Sequence, residues 1–257
     1  MILSYAIVTI SLCALRAEPS HRSEMVSQLL LGELCTVEEV HKDWIKVRND
    51  ADGYEGWLSL SGIEKIPQKT FEAFKQQHSV VVPSPFTAHM SGGADVWVPA
   101  GARLYDFNKK ADKVDFQIGS KHLTASWQPT YPQNPVEVAM QMLNSPYLWG
   151  GKSNAGIDCS GLTQLCFGIC GVSLMRDASQ QAKMGMPISG VEQAREGDLA
   201  FFQNDAGRIM HVGIVLSGHR IIHSSGYVRI DKLDDKGIFR ESEGCYSHHL
   251  CCIRRMY

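Results

Sequence analysis

The residue best placed for chemistry in this chain is a cysteine delivered by a glycine-rich, polar loop. The stretch Tyr147-Leu148-Trp149-Gly150-Gly151-Lys152-Ser153-Asn154-Ala155-Gly156-Ile157-Asp158-Cys159-Ser160-Gly161-Leu162 runs into the start of a helix. Leu162, Leu165, Cys166 and Ile169 mark that helix by their i, i+3, i+4, i+7 spacing, and Gly171 is placed to end it. A thiol at a helix N-terminus meets unpaired backbone N–H groups and the positive end of the macrodipole. That setting lowers a cysteine's pKa and favours the nucleophilic thiolate. Cysteine is also a common core filler, but Asp158, Ser160 and Gly161 are polar or tiny and argue against a core. Cys159 reads as a catalytic nucleophile.

Its base should be a histidine brought close by the fold. Gly197-Asp198-Leu199-Ala200-Phe201-Phe202 reads as a turn into a buried strand, and Asn204-Asp205-Ala206-Gly207 as the turn that follows. His211 then sits in the apolar strand Ile209–Leu216, where it is either a satisfied core histidine or a base. A second histidine, His223, on the next strand favours the base, because cysteine catalysis needs one imidazole to take the proton and a third group to orient it. Parity tests this. A three-residue turn, Ser217-Gly218-His219, pairs Leu216 with Arg220 and sets His223 opposite Gly213. His211 is then its diagonal neighbour, roughly 7–8 Å away at the backbone, with the small Gly213 leaving room. A two-residue turn would put the rings on opposite faces.

Tyr-x-Trp-Gly-Gly at 147–151, Asp158-Cys159-Ser160-Gly161, Gly197-Asp198-Leu199, His211-Val212-Gly213-Ile214 and His223 together resemble the NlpC/P60 cysteine peptidases of bacterial cell walls, over residues 134–257. The resemblance implies a papain-like α+β domain with Cys159 as nucleophile, His211 as base and His223 as the orienting residue. It also implies an oxyanion site from the Cys159 backbone N–H and the Tyr147 hydroxyl.

The remainder reads as two small barrels. Ala14–Ser20, Gln28–Glu33, Asp43–Arg48 and Gly53–Leu58 are short alternating strands between turns, and residues 1–65 resemble a bacterial SH3-like (SH3b) barrel. Residues 66–130 read as a second, more divergent copy, with strands at 80–82, 96–98, 102–107 and 114–118. The proline-bearing 127–135 reads as the linker to the peptidase. The expected fold is therefore α+β: two small SH3-like β-barrels followed by a papain-like NlpC/P60 domain.

This order of modules resembles the γ-D-glutamyl-L-diamino acid endopeptidases, which implies a muropeptide substrate such as L-Ala-γ-D-Glu-diaminopimelate and a role in recycling. The resemblance assigns substrate binding to Tyr54, Asp158, Ser160 and Ser179, and Glu24, with Glu33 in reserve, is the candidate carboxylate for the substrate's N-terminal ammonium. A closed site that takes an ammonium needs a carboxylate, since a buried unpaired charge is costly. Glu24 can equally be a solvated loop charge, and Asp158 a plain helix N-cap. The rival readings are a broader hydrolase of polymeric peptidoglycan anchored by SH3b modules, and an idle binding protein.

Composition narrows the partners. With 44% hydrophobic and 20% charged residues the chain can bury a core, and a formal charge of −2 gives no electrostatic case for nucleic acid or an anionic membrane. Met1–Leu15 is apolar but lacks a positive lead and is too short to span a bilayer. The chain is expected to carry no export signal and to be a cytoplasmic monomer, or periplasmic or envelope-bound if a leader is removed. Eight cysteines without paired C-x₂-C units suggest free thiols rather than zinc, so no metal and no organic cofactor is expected.

Overall fold

Segments with period-two apolar patterns bury one face each, so they must close on themselves or on a second sheet. In the computed structural model, which describes residues 2–257 except 78, 91, 111 and 112, the chain divides into two compact units, residues 1–131 and 132–257.

The first unit is built on two sheets. Seven strands lie in the order Met25–Leu30, Leu12–Arg16, Glu55–Ser59, Trp44–Asn49, Leu34–His41, Ser4–Val8, Ile63–Ile66. The strand Ser4–Val8 explains how the two sheets share a core. Ala6 and Val8 join Leu15, Val37, Ile45 and Leu58 on one side, while Ile7 faces Leu104, Val114 and Phe116 of the second sheet. That second sheet runs Asp95–Val98, Phe86–Met90, Lys121–Ala125, Lys113–Ile118, Arg103–Lys110, Val80–Val81. Helix α1 (Gln68–Gln76) is an addition to the strands read from sequence. Its buried residues are Phe71 and Phe74, which pack on Tyr5 (ring centroids 4.6 Å) and Tyr105 (4.3 Å). Two aromatic residues three apart are too short a stripe to announce a helix.

In the second unit, α2 (Pro135–Gln141) starts where Asn134 accepts the Glu137 N–H at 3.0 Å. The helix of the nucleophile, α3 (Cys159–Ile169), and the short α4 (Ala178–Gln181) follow. A seven-stranded antiparallel sheet runs Met186–Ile188, Cys245–Arg255, Leu199–Gln203, Ile209–Leu216, Arg220–Ser225, Tyr227–Asp234, Gly237–Arg240, and the last strand pairs back onto Cys245–Arg255. This closure removes the open edge that Gly237–Arg240 would otherwise present. One face is sealed by Ala200, Phe202, Val215, Ile221, Leu233 and Ile253. The fold is mostly β with few helices, and the expected class holds.

Candidate active site

The loop before α3 is locked by a buried ion pair. Asp158 caps the helix, its Oδ1 accepting the Gly161 N–H at 2.6 Å, while Oδ2 accepts the Gly150 N–H at 2.8 Å. The Arg176 guanidinium closes on the same carboxylate with two hydrogen bonds, 3.1 and 2.6 Å, and donates to Ser160 Oγ at 2.9 Å. Arg176 is 1% exposed, and a fork-on-carboxylate pair at such burial holds its geometry tightly. Gly161 is required here: a Cβ on it would stand 2.2 Å from the Gly151 carbonyl oxygen. The two residues expected to contact substrate at this turn, Asp158 and Ser160, both accept from Arg176, and Asp158 also serves as the helix N-cap. Gln181, fully buried on α4, braces the turn by donating to the Ser160 and Met175 carbonyls at 3.1 and 2.8 Å.

Burial overrides the helix dipole at the nucleophile. Desolvation, with the Asp158 charge adding, pushes the Cys159 thiol up to about 12, although the Val212 and Ser160 backbone N–H groups and Arg176 pull the other way. The thiolate expected from the helix N-terminus is therefore not the resting species. The thiol rests neutral, with the backbone N–H of Val212, the residue after His211, as a hydrogen-bond partner.

The hairpin has the three-residue turn: Leu216 pairs with Arg220, and Ile214 with Ile222. His211 Nε2 and His223 Nδ1 are 2.8 Å apart, and His223 Nε2 lies 3.0 Å from Asp231 Oδ2. Gly213 supplies the room, since a Cβ there would come within 2.9 Å of the His223 Cβ. The proton positions follow from the carboxylate end. Asp231 accepts, so His223 Nε2–H donates and its Nδ1 carries a lone pair; His211 Nε2–H donates to that lone pair, which leaves His211 Nδ1 unprotonated. Burial lowers both imidazole pKa values, well below the ordinary range for His211, so the rings are neutral at pH 7. Burial alone would raise Asp231, but hydrogen bonds from His223 and Arg229 hold its carboxyl below the usual range. Arg229 Nη2 donates to Asp231 Oδ1 at 2.8 Å. The result is a basic nitrogen, His211 Nδ1, fixed by a chain of three side chains.

Tyr147 belongs to the same neighbourhood. Burial raises its hydroxyl to about 12, with Cys159 the next cause, so the phenol stays a donor near the thiol. His248 stacks on His211, ring centroids 4.1 Å apart at 25°. Ser179 lies exposed on α4. In the first unit, Glu24 is an exposed residue before the strand Met25–Leu30, and Tyr54 is half-buried against the barrel core. Glu33 is buried, its carboxylate accepting the Leu30 N–H at 2.8 Å within its own turn. Among the described residues, no group of three or more His, Cys, Asp or Glu is arranged to hold a metal ion, and no helix is long and apolar enough to cross a membrane.

Sequence reasoning missed Arg176, Asp231, Arg229 and His248. Only Asp231 left a usable signal: Ile221 pairs with Asp231 and His223 with Arg229, so a two-step extension of the hairpin argument reaches the carboxylate.

The geometry has relatives. Residues 144–254 match the NlpC/P60 family, and residues 15–63 match the bacterial dipeptidyl-peptidase SH3 domain. The chain is 29% identical to a γ-D-glutamyl-L-lysine dipeptidyl-peptidase of Bacillus subtilis over 90% of its own length and 81% of the relative's. It is 28% identical to dipeptidyl-peptidase 6 of Lysinibacillus sphaericus, covering 90% and 92% of the two chains. A crystal structure of an NlpC/P60 family protein from Bacillus cereus superposes with a TM-score of 0.83 over 98% of this chain and 99% of that one, at 21% identity.

Proposed function

With an NlpC/P60 domain preceded by an SH3 domain of the bacterial dipeptidyl-peptidase kind, the chain is a cysteine peptidase, and we propose that it cleaves the γ-D-Glu–diamino acid bond of peptidoglycan-derived peptides with a free N-terminal L-Ala. The observation that carries this reading is the buried Cys159 thiol, hydrogen-bonded to the residue after His211, together with the chain of His211, His223 and Asp231 that leaves His211 Nδ1 a lone pair.

The reaction is acyl transfer in two halves. As substrate arrives, the Cys159 thiol gives its proton to His211 Nδ1 and the sulfur attacks the γ-carbonyl carbon of D-Glu. The oxyanion is met by the Cys159 N–H and the Tyr147 hydroxyl. Collapse breaks the C–N bond, the imidazolium passes its proton to the departing amine, and a thioester remains. Water, deprotonated by His211, then adds to the thioester; the acid leaves and the sulfur takes the proton back. Asp158 and Ser160 are proposed to contact the substrate dipeptide, and their bonds to Arg176 fix the turn that presents them.

Glu24 and Tyr54 are proposed to read the substrate's ammonium, with Ser179 as a further contact. A site built to satisfy an ammonium rejects an acylated nitrogen because its own polar groups are then left unpaired. That selects released muropeptides over intact wall, a recycling role for a cytoplasmic monomer. The eight free cysteines support a reducing compartment.

Hydrolysis of L-Ala-γ-D-Glu-diaminopimelate beside its N-acetylated form tests the reading, with Cys159→Ala as control. Cleavage of the free-amine peptide alone, lost in the variant, is expected. Equal cleavage of both forms would transfer the enzyme to the broader wall hydrolases and remove Glu24 and Tyr54 from the site.

A further inference from the structure

The general acid marks where the leaving group must go. His211 hands its proton to the departing nitrogen, so the residue attached to that nitrogen has to occupy space that opens from His211. A groove of about 240 Å³ does so, lined among others by Phe202, Met210, His248, Asn204 and Asp205. This is less than the roughly 300–1,000 Å³ of a drug-sized ligand's pocket, and suits one amino-acid residue rather than a polymer.

Near His211 the lining is mixed: Phe202 and the exposed Met210 are apolar, while the His248 ring stacked on His211, Gln203, Ser247 and His249 are polar. At the other end the turn 204–208 is bolted in place. Asn204 Oδ1 accepts the Ala206 and Arg208 N–H groups at 3.1 and 3.0 Å, and the Gly207 N–H reaches the Asn204 carbonyl at 2.8 Å. That turn presents Asp205, whose carboxylate makes no hydrogen bond or ion pair among the described residues, and no lysine or arginine lines the groove. A small groove that touches the general acid and carries an exposed carboxylate with no lysine or arginine in its lining fits an amino-acid side chain that ends in an ammonium.

We infer that this groove is the leaving-group subsite, and that Asp205 gives the enzyme its preference for a diamino acid by pairing with the distal ammonium. The inference rests on the acyl-transfer reading above and names the residue that chooses the leaving group.

The experiment compares L-Ala-γ-D-Glu-L-Lys with the same peptide acetylated on the lysine Nε, for the wild type and for Asp205→Asn. The wild type is expected to favour the free ammonium about fivefold, through KM, as an ion pair at a solvent-facing site allows. In Asp205→Asn that ratio falls to about one. A ratio that persists in the variant, or is absent in the wild type, overturns the inference while leaving cleavage of γ-D-Glu peptides intact. Binding of L-lysine amide and L-norleucine amide to Cys159→Ala, followed by NMR, tests the groove without turnover. Lysine amide binding more tightly, and losing that edge with Asp205→Asn added, supports the subsite even if no γ-D-Glu peptide is cleaved; equal binding of the two amides overturns it.

Discussion

Replacing Asp231 by asparagine changes one atom at the end of the histidine chain and should be felt at the sulfur. The carboxylate accepts the His223 Nε2–H at 3.0 Å in a buried setting, and a hydrogen bond to a charged partner contributes about 1.5–3 kcal/mol. Asparagine keeps the shape but offers an N–H₂ group that can donate to His223 Nε2. His223 then carries its proton on Nδ1, His211 is driven to accept at Nε2, and its Nδ1 becomes an N–H with no lone pair for the thiol. At 1.36 kcal/mol per decade, the loss amounts to a roughly 10- to 150-fold fall in kcat/KM. The assay is kcat/KM for a γ-D-Glu tripeptide from pH 5 to 9, alongside far-ultraviolet circular dichroism to certify the fold. A folded Asp231→Asn enzyme within threefold of wild type across that range would refute the proton assignment and reduce Asp231 to a partner for Arg229.

Three other outcomes follow from the same geometry. Arg176→Met leaves the Asp158 carboxylate buried with no countercharge, so denaturant unfolding should show a loss of about 3–5 kcal/mol; a loss below 1 kcal/mol would mean that the pair does not hold the turn. Since burial raises Cys159 to about 12, iodoacetamide labelling of its peptide in the free enzyme should climb steadily from pH 7 to 10, where a thiolate–imidazolium pair would instead plateau near neutrality. His211, His223 and His248 have lowered folded pKa values, His248 about 4, so their contribution is complete above the unfolded value of about 6.5 and fades as pH falls toward 4. The unfolded chain takes up protons that the folded one refuses, a slope of about 1.4 kcal/mol per pH unit for each silent ring, and a guanidinium midpoint unchanged between pH 7.5 and 5 would contradict it.

What was legible in the sequence is what local spacing controls. The helix after Asp158, its cap, and the parity that sets His211 and His223 on one face all depend on residues a few positions apart. Arg176 was invisible because its partner lies eighteen residues away across a loop, and nothing local distinguishes an arginine bound for the interior. His248 was hidden by irregularity: the strand Cys245–Arg255 carries register shifts where it pairs with Gly237–Arg240 and with Leu199–Gln203, so alternation cannot be counted along it. The pKa of Cys159 failed for a different reason. The dipole of α3 can be read from a helix start, whereas desolvation depends on everything that packs around the sulfur, and here it dominates.

The neutral, nearly inaccessible sulfur also bears on durability. Peroxides attack thiolates, and the steps from sulfenic to sulfinic and sulfonic acid begin only where an anion meets solvent. A nucleophile that is uncharged until substrate shares its proton with His211 offers oxidants little between turnovers. Inactivation of the free enzyme by hydrogen peroxide should therefore be slow at pH 7 and quicken toward pH 10 as the thiol begins to ionise.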